Sequence, residues 1–495
     1  MLEDIEIIQY MQRTNPWWST GKIPANLVEN FHRRDFYKIC ERLPDRFIMS
    51  LTGLRRVGKT TLINQLINHL LQEEDVSARN ILFLTFDDPF WNLASVSIQK
   101  ILDLYCETIL GSVLTDLPTD TRVYFFIDEI QYQPDWERII KVLYDRKLPF
   151  KFIISGSSSI HLYSKSSESL VGRVHIQKIF PFKFLEACRF IYQATDQEQE
   201  LKDLNGFNWR LRKSIETSVR NDSPADIIEF LEKEKLYWLS NKQQWHIRIN
   251  DYIVRGGFPE TLNHDLIESR KYIQTFIDLT IHRDIQNLFS IRQVDKFKKL
   301  FLWIVRESSQ RTNVKNLTNT IGIKYETLQQ YLEALETTYL IRQLPYYAKS
   351  TSKQIRWPVK LFIGDIGIQA AYLNFPLYIH EYNTQILGKV IETLVCDHVT
   401  RLKFNLEQGL IQPLYYWMDP NTREEVDIIC ELFHKPIPIE VKYQTQIRKN
   451  DLVGIKKFLD TYDSPFGFVV SKETLDTNTD NKILILPLWL FLLAP

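Results

Sequence analysis

The sequence lacks the features that mark secreted, disulfide-bonded and membrane-spanning proteins. Its five cysteines have no CxxC spacing and are odd in number, so we expect reduced cysteines and neither a disulfide framework nor a zinc site. The first residues carry no basic segment followed by an apolar one, which argues against a secretory signal. The apolar stretch 483–495 has 13 residues and contains Pro487, whereas a membrane span needs about 20. We therefore expect a cytoplasmic protein with no membrane partner.

An excess of charge of either sign is also absent. Lys and Arg together number 61, as do Asp and Glu. A chain without net charge has no overall field that draws it to nucleic acid, so any such contact must come from a local patch. No internal repeat or low-complexity tract is apparent. A chain of 495 residues is too long for one hydrophobic core, and its length suggests about three domains.

Strand and helix patterns alternate from residue 46 to about residue 181. The strand segments are RFIMSLTG, NILFLTFDD, RVYFFIDEI and FKFIISGSSS, and helical segments separate them. Several of these strands are continuous apolar runs, as expected when helices cover both faces of a sheet. The pattern predicts an α/β domain with a parallel, doubly wound sheet.

A phosphate-binding motif follows the first of these strands. Residues 53–61, GLRRVGKTT, fit the pattern G-x-x-x-x-G-K-[ST] and open the next helix. Glycines allow the backbone N–H groups to curl around phosphates, and the helix N-terminus adds partial positive charge. Lys59 would reach the β and γ phosphates, and the Thr60 hydroxyl would bind Mg²⁺. The sequence therefore predicts ATP and Mg²⁺ as ligands.

The apolar run Tyr124–Ile127 ends in two acids, Asp128 and Glu129. A strand end at this distance from a P-loop would place Asp128 beside the loop, where it helps to hold Mg²⁺. Glu129 would polarise the attacking water as a general base. We therefore expect an ATP hydrolase.

Ser155 and two arginines are further candidates for the nucleotide site. Ser155 ends the strand FIIS and would touch the γ-phosphate as a sensor, or belong to an ordinary polar turn. Arg173 would be an arginine finger that reaches the nucleotide of a neighbouring subunit. Arg283 competes for that role, and either arginine is otherwise a surface residue. The predicted catalytic residues are Glu129, Asp128 and Arg173, and the residues predicted to contact ATP are Gly53, Arg56, Gly58, Lys59, Thr60, Thr61 and Ser155.

In this order, the segments GLRRVGKTTL, FDDP, FIDEIQ, ISGSSS, LVGR and FPFKFLE resemble the AAA-type ATPases of archaea and bacteria, close to the STAND branch. GGFPE (256–260), HRD (282–284) and KLFIGDIGIQAAYL (360–373) resemble the C-terminal region that accompanies them. The resemblance covers nearly the whole chain, although the polar segment 193–240 is longer than the family leads us to expect. We expect a homo-oligomer with nucleotide at subunit interfaces, and a hexameric ring is one such form.

Residues 314–344 resemble a winged-helix module, with a helix, a turn at Gly322 and a second helix. Such modules usually place the second helix in the DNA major groove. Here that helix exposes Glu326, Glu333 and Glu336 and carries no Lys or Arg, whereas phosphate contacts need positive charge. Contact with DNA and a purely structural arm therefore both stay open.

Four charged residues near the C-terminus resemble the core of PD-(D/E)XK nucleases. Glu392 lies on a predicted helix, Asp427 enters a strand, and Glu440 and Lys442 share one face of the next strand. The carboxylates would hold a divalent cation, and Lys442 would activate a water for attack on a phosphodiester. The resemblance implies a restriction-endonuclease-like fold, and both a cutting and an inactive site stay open.

The chain is predicted to divide into a helical N-terminal segment (1–45), a P-loop AAA-type ATPase core (46–190), a helical lid or insertion (191–290), a winged-helix domain (291–380) and a nuclease-like α/β domain (381–495). The main hypothesis is an ATP-driven motor that remodels DNA, such as branched or forked DNA. A second is a nucleotide-gated switch in stress or defence signalling. A third is an ATP-dependent, Mg²⁺-dependent DNA nuclease.

Overall fold

The computed structural model describes residues 3–94, 96–113, 122–156, 170, 172–195, 197–234, 240–350, 353–354, 357–376, 383–407, 409, 413–477 and 482–495. The chain forms two compact units, Met1–Phe180 and Pro181–Pro495. The predicted division into five parts stays a prediction.

The first unit alternates helices and strands. Its helices are α1 (Asp4–Thr14), α2 (Trp17–Thr20), α3 (Arg34–Cys40), α4 (Lys59–Gln72), α5 (Pro89–Ala94), α6 (Ile98–Tyr105), which a π-helical turn extends (Cys106–Leu110), and α7 (Trp136–Asp145). Its strands are β1 (Ile48–Thr52), β2 (Ile81–Thr85), β3 (Val123–Asp128), β4 (Phe150–Gly156) and β5 (Val174–Lys178).

The five strands of this unit form one parallel sheet in the order β2-β3-β4-β1-β5. Every residue of β1, β3 and β4 is buried, because these inner strands are covered on both faces. The predicted α/β class with a parallel P-loop sheet is confirmed. The P-loop follows the last residue of β1, at the edge of the sheet where β3 and β4 also end.

The segment before β1 closes one side of this sheet by pairing with the edge strand β2. The Asn15 side chain donates to the carbonyl of Phe83 at 3.0 Å and accepts the N–H of Phe83 at 2.6 Å. The indole N–H groups of Trp17 and Trp18 both donate to the carbonyl of Ile81. An edge strand presents backbone groups that would otherwise lack partners, and side chains of the preceding segment occupy several of them here.

The second unit contains most of the helices. They are α8 (Phe184–Ile191), α9 (Glu198–Arg220), α10 (Ala225–Lys233), α11 (Lys242–Arg255), α12 (Leu266–Leu279), continued by a π-helical turn (Thr280–Ile285), α13 (Gln286–Phe289), α14 (Val294–Arg306), α15 (Val314–Ile321), α16 (Tyr325–Thr337), α17 (Ile366–Leu373), α18 (Thr384–Leu406), α19 (Val453–Tyr462) and α20 (Leu488–Phe491). The polar segment 193–240 thus folds largely as α9 and α10, with residues 196 and 235–239 outside the described part of the chain.

Two sheets accompany these helices. A three-stranded antiparallel sheet has the order β6-β8-β7, from β6 (Arg311–Thr312), β7 (Ile341–Leu344) and β8 (Val359–Ile363). A mixed five-stranded sheet has the order β13-β12-β11-β10-β9, from β9 (Tyr415–Met418), β10 (Glu425–Leu432), β11 (Lys435–Lys442), β12 (Gly467–Ser471) and β13 (Ile483–Pro487). Among the described residues, no helix combines the length and the apolar character needed to cross a membrane.

Candidate functional site

The loop between β1 and α4 bends through residues with positive φ. Gly53, Arg56 and Gly58 have φ angles of +153°, +68° and +94°. A Cβ on Gly53 would lie 2.1 Å from the carbonyl oxygen of Ile179, so only glycine fits there. Gly58 is the N-cap of α4, which brings the positive end of the helix dipole to the loop. A loop of this shape at a helix N-terminus suits an anion such as phosphate.

Lys59 places a positive charge inside this loop. Its side chain is buried, and Nζ donates to the carbonyl oxygens of Gly53 at 3.1 Å and Leu54 at 3.0 Å. Thr60 and Thr61 follow in the first turn of α4, with Thr60 exposed and Thr61 half-buried. The loop therefore combines the helix N-terminus with an ammonium group at one point.

Asp128, Ser155 and Thr60 meet beside the loop. Asp128 ends β3, and its Oδ2 accepts a hydrogen bond from the Thr60 hydroxyl at 2.7 Å. Its Oδ1 accepts a hydrogen bond from the hydroxyl of Ser155, which lies on β4 and is fully buried. Because β4 lies between β1 and β3, the sheet order itself brings these three side chains together.

Glu129 extends this cluster. Its backbone is left-handed, with φ of +52°, which is uncommon for a residue other than glycine and recurs at functional sites. Its N–H donates to the Ser155 hydroxyl at 3.4 Å, and its Oε2 accepts a hydrogen bond from Gln131 at 2.5 Å. One hydroxyl group thus contacts both acidic residues, Asp128 through its side chain and Glu129 through its backbone.

The donor set fits Mg²⁺. A threonine hydroxyl and a carboxylate are hard oxygen ligands of the kind that Mg²⁺ accepts alongside water and phosphate oxygens. The Thr60 hydroxyl and the Asp128 carboxylate already lie within hydrogen-bond distance of each other. If the ion binds here, these two residues would hold it, and that role stays a prediction.

Residues before β1 also support the P-loop, and no sequence pattern predicted this contact. The buried Arg33 donates from Nη1 to the carbonyl of Val57 at 3.1 Å and from Nη2 to the carbonyl of Phe180 at 2.9 Å, and it pairs with Asp35 at 3.0 Å. Nothing distinguishes this arginine from Arg34, its exposed neighbour, in the sequence alone.

The two arginine-finger candidates lie in different units. Arg173 precedes β5, and its carbonyl accepts the N–H of Ile48, the first residue of β1, at 2.9 Å. It therefore lies at the opposite edge of the sheet from the P-loop, where its guanidinium pairs with Asp145 at 2.8 and 3.2 Å. Arg283 belongs to the second unit, in the π-helical turn after α12. A finger role for either residue stays a prediction.

A pocket of about 300 Å³ in the second unit brings together the four residues of the predicted nuclease site. Glu392 comes from α18, Asp427 from β10, and Glu440 and Lys442 from β11. Residues from other segments also line the pocket, and no sequence pattern predicted them: Ser309, Gln310, Arg311, Lys360 and Glu425.

Charges in this pocket perturb one another. Burial and the neighbouring Asp427 raise the pKa of Glu392 and of Glu440 to about 8. Burial alone would raise the pKa of Asp427, but the ammonium groups of Lys360 and Lys442 hold it below its ordinary value. Burial opposes the charge of Lys360, yet the carboxylates around it, Asp427 first, raise its pKa well above the ordinary value.

Three known families match parts of the chain. Residues 45–188 match a family described as an AAA domain. Residues 247–377 and 387–491 match two families described as domains of unknown function. Residues 45–188 form an AAA-type P-loop ATPase domain. The P-loop, both acidic residues and Ser155 all lie within this ATPase domain.

Relatives of the chain have been found in archaea and bacteria. An uncharacterized protein of Methanocaldococcus jannaschii is 24% identical over 455 residues, which are 89% of this chain and 87% of that protein. A second protein of that organism is 25% identical over 348 residues, 68% of this chain and 66% of that protein. An uncharacterized protein of Mycobacterium tuberculosis is 26% identical over 432 residues, 86% of this chain and 76% of that protein.

Two solved structures are similar to the chain at low TM-scores. The Walker-type ATPase of Pyrococcus abyssi matches with a TM-score of 0.35 and 15% identity, over 69% of this chain and 96% of that one. The ORC1 protein of Aeropyrum pernix, solved in complex with DNA, matches with a TM-score of 0.29 and 11% identity, over 73% and 96%.

Proposed function

We propose that the ATPase domain binds ATP with Mg²⁺ and hydrolyses it to ADP and phosphate. The observation that carries the proposal is the meeting of Thr60, Asp128 and Ser155 beside a loop that holds the buried Lys59. Hydroxyl, carboxylate and ammonium groups in this arrangement match the needs of a bound triphosphate, its metal ion and an attacking water.

Each residue has a proposed role. Lys59 and the backbone of the loop bind the β and γ phosphates, while Thr60 and Asp128 hold Mg²⁺, which would neutralise the charge that develops during transfer. Glu129 accepts a proton from the water whose oxygen attacks the γ-phosphorus, as the bond to the β–γ bridging oxygen breaks. Ser155 keeps both acidic residues in position, through the hydrogen bonds described above.

Two substitutions separate binding from hydrolysis. Lys59→Ala is expected to lose ATP affinity, since the only ammonium in the loop is removed, whereas Glu129→Gln keeps affinity and loses turnover. Binding is measured with a fluorescent ATP analogue and turnover by phosphate release. Lys100→Ala, a change at an exposed lysine of α6 in the same unit, is the control and should alter neither. Wild-type affinity and turnover in Lys59→Ala would overturn the proposal.

We further propose that ATP hydrolysis drives an action on DNA, through the region of α14 to α16 and the three-stranded sheet. Helices followed by a small antiparallel sheet are typical of winged-helix modules. The exposed Glu326 and Glu333 make the length of α16 unfavourable for phosphate. Two exposed lysines, Lys315 at the start of α15 and Lys324 at the N-cap of α16, support contact at the helix starts. Such contact reads the backbone rather than the base sequence.

The test for DNA is stimulation of ATP hydrolysis by single-stranded, duplex and forked DNA. The double charge reversal Lys315→Glu/Lys324→Glu should weaken DNA binding. It should also reduce the slope of the logarithm of the binding constant against the logarithm of the salt concentration, by the amount expected for the loss of about two phosphate contacts. Lys233→Glu, at an exposed lysine of α10, is the matched control. If no DNA binds or stimulates, the nucleotide-gated switch becomes the better hypothesis, and purified protein should then carry tightly held nucleotide and turn over slowly.

We also propose that the protein works as a homo-oligomer, with a hexameric ring as one form. Arg173 lies at the sheet edge away from its own P-loop, so a finger role would require the nucleotide of a neighbouring subunit. The test is the molecular mass in solution with a non-hydrolysable ATP analogue bound, which should be a multiple of the mass of one chain. Arg173→Ala should lower turnover in the assembled form without preventing nucleotide binding, and a monomer at all nucleotide states would refute the finger role.

A further inference from the structure

We infer that Lys360 supplies the positive charge of the second-unit pocket in place of a divalent cation. Its side chain is 3% exposed, and its Nζ lies 2.5 Å from Glu425 Oε1, 3.0 Å from Asp427 Oδ1 and 3.7 Å from Glu392 Oε2. Carboxylates from a helix and a strand therefore converge on an ammonium group of the chain itself.

The other carboxylate oxygens of Asp427 and Glu440 also have partners within the fold. Asp427 Oδ2 accepts the N–H of Val441 at 3.0 Å, and Glu440 Oε2 accepts the N–H of Asp427 at 3.3 Å. Glu440 Oε1 pairs with Lys442 at 2.5 Å. Mg²⁺ needs near-octahedral oxygen ligands at about 2.0–2.1 Å. A divalent ion would have to compete with hydrogen bonds and ion pairs that the fold already makes.

Lys360 is anchored where it lies. It belongs to β8, the central strand of its sheet, and pairs in register with Arg311 on one side and Leu344 on the other. Its ammonium also lies 5.9 Å from the centre of the Tyr416 ring. Moving this ammonium to solvent would leave buried carboxylates facing one another without a counter-charge, which is strongly unfavourable.

The residues present therefore do not fit a divalent metal. Among the described residues, no group of three or more His, Cys, Asp or Glu side chains is arranged to hold a metal ion. The pocket instead links two sheets of the second unit by ion pairs. Lys360 and Arg311 come from the three-stranded sheet, and their partner Glu425 comes from the mixed five-stranded sheet. The nuclease hypothesis depends on a metal ion at this position, so the ion pairs of Lys360 count against it.

The test is direct measurement of Mn²⁺ binding to the full-length protein without nucleotide, from the electron paramagnetic resonance signal of free Mn²⁺. Wild type and Asp427→Asn should bind the same amount, since the pocket takes no ion. Lys360→Met should gain one Mn²⁺ per chain, because the carboxylates lose their ammonium partner. That gain should disappear in Lys360→Met/Asp427→Asn. Comparing variants cancels any ion held at the P-loop.

Lys403→Met is the matched control. Lys403 is a buried lysine of α18 whose Nζ donates to the carbonyl of Glu431 at 2.7 Å, outside the pocket. This variant should lose a buried ammonium without gaining a Mn²⁺ site. The inference is overturned if wild type binds one Mn²⁺ that Asp427→Asn removes, a result that does not depend on whether Lys360→Met folds. It is also overturned if folded Lys360→Met binds no additional Mn²⁺.

Discussion

The substitution Ser155→Ala removes one hydroxyl from the nucleotide site without touching the phosphate-binding loop. That hydroxyl donates to Asp128 and accepts the N–H of Glu129. A hydrogen bond to a charged group contributes about 1.5–3 kcal/mol. If the bond is needed in the transition state, kcat should fall about 10- to 150-fold. The ATP affinity should change little, because the proposed phosphate contacts come from the loop and Lys59 and not from Ser155.

The assay is steady-state phosphate release, with kcat and KM determined separately. Ser155→Cys keeps the size of the side chain and a weak donor, so it should give an intermediate kcat. Ser50→Ala, at an equally buried serine of β1, controls for the loss of a hydroxyl from this sheet. A kcat of Ser155→Ala within about twofold of wild type, or a rise in KM at constant kcat, would refute a transition-state role for this hydroxyl.

Further predictions concern the loop and the two units. Gly53→Ala should abolish nucleotide binding, because its Cβ would lie 2.1 Å from the Ile179 carbonyl oxygen; retained binding of an ATP analogue would contradict this. Arg33→Met should lower the free energy of unfolding by about 2–4 kcal/mol, since two backbone carbonyls lose a buried charged donor, and denaturant unfolding that matches wild type would disprove it. Burial lowers the pKa of His398 from 6.5 to about 3, so the ring is neutral in the fold and accepts the N–H of Phe184. The contribution of the neutral His398 ring to the free energy of unfolding is fully present above pH 6.5 and is lost as the pH falls toward about 3. His398→Gln keeps an acceptor without titrating, so its stability should depend less steeply on pH over that range, as measured by denaturant unfolding at a series of pH values.

Much of the ATPase domain could be predicted from sequence because its signals are local. Each of the strands β1 to β4 is a continuous apolar run, and the P-loop pattern is one continuous stretch of sequence. The edge strand β5 was not predicted, because its sequence VHIQK alternates apolar and polar residues over only four positions. In the structure only its last residue is buried. The order of the strands has no counterpart in local sequence, so the contact between Ser155 and Asp128 could not be foreseen.

The second unit shows where such prediction fails. Asp427, Glu440 and Lys442 line one pocket, and the nuclease role suggested by their spacing stays a prediction. Lys360 lies 67 residues before Asp427 and on a different sheet, so no spacing rule connects them. An ion pair between distant segments depends on tertiary packing, and a lysine in the apolar strand VKLFI looks like any other strand residue.

The hydrogen bonds from Asn15, Trp17 and Trp18 to β2 affect how this domain can be isolated. The family match begins at residue 45, so a fragment cut at that point would keep the whole sheet yet lose every one of these side chains. Its outer strand would then offer open backbone groups to the same strand of a second molecule. Such a fragment should self-associate through its β2 edge strands. Its oligomeric state, measured by sedimentation, would then reflect this artefact and not the assembly of the intact chain.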